Sequence, residues 1–313
     1  MKRSSGKIYL ISLAVILTIP LAFLPPATLA IEYTFTSIDP PGTTWTDAHG
    51  INDFNNIVGG YLDGTGFHGF LDVRGNFTAI DVPGASSTHA FGINNSNNIV
   101  GLYLDATGTH GFLDIGRNFT AINVPGASDT RALGINNSNN IVGLYFDATG
   151  EHGFLYIGGN FIPINVPGAY YTEALGINDF NNIVGVYKDA IGWHGFLYAG
   201  GNFTPIDVAG AYYWTVAFGI NNSNNIVGEY SDATGWHGFL DVGGSFTPID
   251  FPGASMTLAY GINDFNNIVG VYQAGYFVHG FVATPIPEPS TMLLLGSGLL
   301  GLAGYGRKKF FKK

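Results

Sequence analysis

Hydrophobic and polar positions alternate in short runs through the middle of the chain, and none of these runs has a helical period. Residues 91–122 show the pattern: Phe91-Gly92-Ile93-Asn94, Asn98-Ile99-Val100-Gly101-Leu102-Tyr103, His110-Gly111-Phe112-Leu113 and Phe119-Thr120-Ala121-Ile122 are four β-type runs. Asn-Asn-Ser-Asn-Asn, Asp-Ala-Thr-Gly, Gly-Arg-Asn and then Val-Pro-Gly-Ala follow them, all with turn chemistry. The unit recurs. Gly-Ile-Asn begins at Gly50, Gly92, Gly134, Gly176, Gly219 and Gly261, spaced by 42, 42, 42, 43 and 42 residues.

A four-stranded unit of about 40–45 residues has the length of a propeller blade, and such an array must hide its sheet edges. The sixth repeat stops at His279-Gly280-Phe281-Val282 with no fourth run, while Phe35-Thr36-Ser37-Ile38-Asp39-Pro40-Pro41-Gly42 stands before the first Gly-Ile-Asn. The pattern therefore predicts an all-β fold: a single six-bladed β-propeller of four-stranded blades over residues 31–284, closed by the N-terminal strand completing the last blade. Gly-Ile-Asn would lie on the inner strands and Phe-Thr-x-Ile on the outer ones. An open β-solenoid is the alternative, and it would not need the displaced strand. With His89-Ala90-Phe91, and with Arg131-Ala132-Leu133, Glu173-Ala174-Leu175 and Val216-Ala217-Phe218 in its place elsewhere, the repeat resembles the bacterial HAF extracellular repeat. That resemblance implies an extracellular repeat protein and assigns no catalytic role.

Composition narrows the classes. Of 313 residues 46 are glycine, only 11% are charged and 46% are hydrophobic, which fits a buried core and excludes most disordered polymers. There is no cysteine, so disulfides, thiolate metal sites and a cysteine nucleophile are excluded. Between the basic ends the 22 acidic residues face only Arg74, Arg117, Arg131 and Lys188. Nucleic acid needs clustered Lys and Arg, so it is not an expected partner.

The two ends read as addresses. Residues 1–30 run from a basic start through an apolar stretch, Ile8 to Leu24, to small residues before Ala30, the layout of a secretory signal peptide. An uncleaved membrane anchor is the alternative. At the other end Pro287-Glu288-Pro289 precedes a short apolar segment, Met292 to Tyr305, and the basic cluster Arg307 to Lys313. A positive cluster behind an apolar segment is a stop on the cytoplasmic side, and the segment is short for a permanent span. Residues 285–313 resemble the PEP-CTERM sorting signal of Gram-negative bacteria. That resemblance implies export, an exosortase-type processing enzyme as partner, and contact with the membrane only through this segment. Pro287, Glu288 and Pro289 would be recognition residues, at the surface, outer membrane or matrix of a cell that makes exopolysaccharide.

Chemistry is harder to place. His68, His110, His152, His194, His237 and His279 recur on the third strand, where neighbours would stand roughly 15 Å apart, too far for shared metal ligation. Asp63, Asp105, Asp147, Asp189 and Asp232 stand five residues before five of them, flanking a hairpin, so a turn-holding hydrogen bond is the expected role. Asp-Ala-Thr-Gly lacks the alternating ladder of a calcium loop. No metal and no cofactor are expected. The unique acids Glu151, Glu173 and Glu229 show no pairing logic and read as ordinary surface carboxylates.

Departures from the repeat cluster among the aromatics. Tyr170, Tyr171, Trp193, Tyr212, Tyr213, Trp214 and Trp236 belong to repeats three to five and would share one face, where the extra residue of the array also falls. Exposed flat rings suit stacking on the apolar faces of sugars; packing between blades or at an oligomer contact is the alternative. The sequence thus reads as an exported, non-enzymatic propeller that binds or scaffolds, with exopolysaccharide as the expected ligand. A polysaccharide hydrolase or lyase, and an adhesion protein with a protein partner, remain the alternatives.

Overall fold

The computed structural model describes residues 31–212 and 214–286, which form 24 β-strands and, among the described residues, no helix. The signal-peptide reading of residues 1–30, the readings of Pro287, Glu288 and Pro289 with the apolar segment behind them, and Tyr213 lie outside the described residues.

β1 is Tyr33–Ile38, and repeat one follows as β2 (Trp45–Ile51), β3 (Asn56–Leu62), β4 (Phe67–Val73) and β5 (Asn76–Ile80). Repeat two folds as an antiparallel meander of β6 (Ser87–Ile93), β7 (Ile99–Asp105), β8 (Gly108–Ile115) and β9 (Asn118–Ile122), and repeats three, four and five form sheets of the same order. Repeat six supplies β22 (Met256–Ile262), β23 (Ile268–Ala274) and β24 (Phe277–Pro285). A parallel contact of Trp45 with Val278 joins repeats one and six into one eight-stranded sheet. β1 lies antiparallel on β24, with Tyr33 opposite Pro285 and Ile38 opposite Gly280, at the place of the missing fourth strand.

Local chemistry explains the meander. The turn between the first two strands of each repeat needs a left-handed residue, and Asn55, Asn97, Asn139, Asn181, Asn224 and Asn266 supply it at φ 59–60°. Asn tolerates that region better than most side chains. In the same turn Oδ1 of Asn94 accepts from the amides of Ser96 and Asn98, both at 3.0 Å. Its Nδ2 reaches across to repeat three, donating to the Asn136 carbonyl at 3.1 Å and to Asn139 Oδ1 at 2.9 Å. Equivalent bonds run from Asn263 of repeat six to the Asn52 carbonyl and Asn55 Oδ1 of repeat one, each 3.1 Å.

The apolar core lies between sheets. Val58 and Ile80 of repeat one pack with Ala90, Ile93, Ile99 and Phe112 of repeat two, and the combination recurs along the array. Phe70, Phe112, Phe154, Phe196, Phe239 and Phe281 are fully buried. The glycine of Ile-Val-Gly follows from this packing: a Cβ on Gly101 would strike the His89 carbonyl oxygen and the Phe112 ring. Burying each such ring stabilises by roughly 1.5–3 kcal/mol.

Candidate functional site

The recurring histidines are structural clips. Asp63 Oδ1 accepts from the Thr65 amide at 2.7 Å and its hydroxyl at 2.6 Å, and that hydroxyl meets His68 Nε2 at 2.8 Å. His68 Nδ1 then meets Asp81 at 2.8 Å, tying the hairpin to the end of the fourth strand. The set repeats with Asp105, Thr107, His110 and Asn123 and in repeats three and five; in repeat four Ile191 stands in place of the threonine, and the contact of His194 Nδ1 with Asp207 is kept. These carboxylates hold turns, as their position five residues before the histidine suggests.

A different position carries the variable chemistry. On the first strand of each repeat, the residue between an invariant Thr and an invariant Ala is Asp47, His89, Arg131, Glu173, Val216 and Leu258 in turn. Its cross-strand partner on the second strand is Gly60, Leu102, Leu144, Val186, Glu229 and Val271. One cross-strand pair per repeat therefore holds a polar group in five of six cases, with the sides exchanged in repeat five. These strands surround a cavity of about 150 Å³ whose lining includes His49, Phe91, Leu133, Leu175, Phe218 and Tyr260.

At the seam of repeats one and two, Asp47 is buried and accepts three hydrogen bonds. Oδ1 takes the Gly60 amide at 2.7 Å and His89 Nε2 at 3.0 Å, and Oδ2 takes His49 Nε2 at 3.0 Å. Burial alone would raise the Asp47 carboxyl, but the two imidazoles, His89 first, hold it well below the usual carboxylate range. Burial pushes His49 down, against the pull of Asp47. Aromatic walls fix both rings: His49 stacks on Tyr260 at 4.3 Å, and His89 stacks on Phe91 at 4.4 Å.

Of the three unique acids, Glu229 is buried and Glu173 lies against Glu151, so the reading of these two as ordinary surface groups is wrong. Glu173, on β14 (Tyr171–Ile177), is partly buried within hydrogen-bonding reach of Glu151 on β12 (Gly150–Ile157). Burial, then the Glu151 hydrogen bond and charge, push Glu173 up to about 8 despite Arg131 nearby. Arg131 is held by Asp129, at 3.2 Å from Nε and 3.0 Å from Nη2. Glu229, on β19 (Ile226–Asp232), is buried, and loss of water raises it to about 7 although the Trp214 indole donates to Oε1 at 3.0 Å. A carboxyl still protonated near neutral pH can donate a proton as well as accept one.

Four of the aromatic candidates form one row. Tyr171 stacks with Trp193 at 6.2 Å, Trp193 meets Trp214 at 5.2 Å, and Trp214 meets Trp236 edge-on at 5.4 Å. Lys188 lies over the Trp193 ring at 5.0 Å and places a cation on this row. Trp236 is 38% exposed and Tyr171 39%. Tyr170 and Tyr212 are exposed at 63% and 59%, outside the row.

The sequence reading missed Asp47, His49, Gly60, His89 and Arg131, and misjudged the glutamates. A signal existed in the column between Thr and Ala, where Asp, His, Arg and Glu interrupt an otherwise constant frame. Reading that column as variants of a naming triplet hid its chemistry.

Residues 285–308 match the PEP-CTERM protein-sorting motif. The chain carries a PEP-CTERM sorting signal. It is thus an exported protein, sorted at the envelope of a Gram-negative bacterium, and signals of this kind are processed by an exosortase. No curated protein matches the sequence. Among solved structures, the PQQ-bound aldose sugar dehydrogenase from Streptomyces coelicolor is similar with a TM-score of 0.50 at 9% identity, over 81% of this chain and 98% of that one. A gluconolactonase from Xanthomonas campestris gives 0.50 at 11% identity, over 81% and 90%. Virginiamycin B lyase from Staphylococcus aureus gives 0.49 at 10%, over 82% and 100%. The first two likenesses show a β-propeller fold.

Proposed function

We propose that this protein is an exported, HAF-like repeat propeller of six blades that binds neutral extracellular polysaccharide without cleaving it. Division of the eight-stranded sheet at the Trp45–Val278 contact supports six blades, with β1 completing the last. On this reading residues 1–30 are a signal peptide, an exosortase acts at Pro287-Glu288-Pro289, and the propeller works at the cell surface, outer membrane or matrix.

The aromatic row carries the proposal. Trp193, Trp214 and Trp236 offer contiguous rings, and the bond from Trp214 to buried Glu229 holds the middle ring rigid. A rigid platform binds sugar faces at little entropic cost. The decisive experiment is titration of the purified protein with the producing cell's exopolysaccharide, followed by tryptophan fluorescence and calorimetry. Trp236→Ala and Trp214→Ala should each weaken saturable binding about tenfold, equivalent to about 1.4 kcal/mol. Absence of saturable binding by the wild type would remove the glycan and leave a protein partner.

A second reading, hydrolysis or elimination of the glycan, is favoured by the raised carboxyls Glu229 and Glu173. Release of new reducing ends, lost in Glu229→Gln while binding persists, would replace the binding role by that enzymatic one.

A further inference from the structure

Four departures from the repeat meet at a single point, and glycan binding does not use them. Asp47 replaces the residue that is otherwise His, Arg, Glu, Val or Leu, and His49 replaces an apolar or aromatic residue. Gly60 replaces Leu, Val or Glu, and His89 comes from the adjoining repeat. The replacements fit together physically. A Cβ at position 60 would stand 2.7 Å from His89 Nε2, 2.9 Å from Cε1 and 3.0 Å from Asp47 Oδ1. A leucine, as in repeats two and three, would occupy the space the imidazole now fills.

We propose that Asp47, His49 and His89 form a binding site for a divalent transition-metal ion of the zinc type, made possible by Gly60. One donor atom from each residue lies within 4.8 Å of the others, and the two oxygen-to-nitrogen separations are 3.0 Å. Zinc bonds of about 2.0–2.2 Å hold tetrahedral ligands roughly 3.3–3.5 Å apart, so a small adjustment of side chains admits the ion. Two imidazoles and one carboxylate suit zinc, iron, nickel or copper better than calcium or magnesium. Binding requires each imidazole to present its Nε2 lone pair to the ion, so the Nε2 proton now directed at Asp47 is released or passes to Nδ1. Tyr260 and Phe91 already fix the ring planes, an arrangement that lowers the cost of assembling ligands. Because two ligands come from repeat one and the third from repeat two, the ion would staple that seam. The inference is independent of the glycan reading.

The test uses the untagged whole chain, freed of metal with a chelator, titrated with Zn²⁺ and separately with Co²⁺. Expected are one tight equivalent by calorimetry, a higher thermal midpoint with zinc, and visible cobalt bands that one equivalent of zinc abolishes. Asp47→Asn, His89→Ala and Gly60→Leu should each weaken the ion at least tenfold, while His110→Ala, from a repeated hairpin, should leave it unchanged. Failure of the wild type to take up one equivalent overturns the proposal, and that result does not depend on any variant folding. Retention of the equivalent in a His49→Ala/His89→Ala double variant overturns it equally.

Discussion

At the residue scale, burial rather than charge pairing sets the acid–base character of Glu229. Glu229 has an ordinary carboxyl value of 4.5 when unfolded and about 7 in the fold, because the buried carboxylate would lose its water. The folded state therefore keeps a proton that the unfolded chain gives up, and the contribution of Glu229 to stability falls as pH rises from about 4.5 to about 7. That fall is on the order of 3 kcal/mol, at about 1.4 kcal/mol per pH unit. Glu229→Gln keeps an acceptor for the Trp214 indole and has no proton to lose. Urea unfolding at pH 5 and pH 7.5 should show the substitution stabilising at the higher pH and nearly neutral at the lower. An equal pH slope in both proteins would mean that the carboxyl is already ionised in the fold. Little of this was legible in the sequence, since Glu229 sits in the same Gly-x-Tyr frame as Leu102 and Val186, and only burial distinguishes it from a surface acid.

At the element scale, the first turn of each repeat holds adjoining sheets together. Asn97 is left-handed, and its Oδ1 accepts from Asn52 Nδ2 at 2.9 Å and Asn56 Nδ2 at 2.8 Å. Asn97→Gly tolerates the backbone but strips an acceptor from two donors on largely buried residues. The expected loss is about 1–3 kcal/mol in denaturant unfolding, with unchanged β-sheet circular dichroism. A variant as stable as the wild type would show that water replaces the bond. The turns and strands were readable because Asn-Asn-Ser-Asn-Asn between alternating runs leaves few other local structures. That the Asn side chains bond across repeats was not, because a turn residue can satisfy itself locally.

At the scale of the whole molecule, one short strand joins the two ends of the array. β1 covers the edge of β24, and the Asn263 bonds bring repeat six against repeat one. Deleting residues 33–38 would leave β24 with an open edge, a template for pairing with another chain. Such a variant should unfold at lower temperature and self-associate in size-exclusion chromatography. A monomer of unchanged thermal midpoint would show that β1 is dispensable and that the array stands open.

What the sequence determined by itself was whatever repeats: strand type, the four-stranded unit, the displaced first strand and the sorting signal. Periodicity and turn chemistry act locally, and six copies make them plain. What only the tertiary structure decided is where the exceptions meet. Asp47 and His89 are 42 residues apart, yet their side chains bond at 3.0 Å across a seam. The space for that contact comes from a missing side chain at Gly60. Trp214 and Glu229 likewise join across neighbouring strands to anchor the aromatic row. Each of these residues departs from the repeat at its own place, and the linear order does not tell which departures meet. Their chemistry arises because packed sheets exclude water and fix distances between groups that the chain keeps apart.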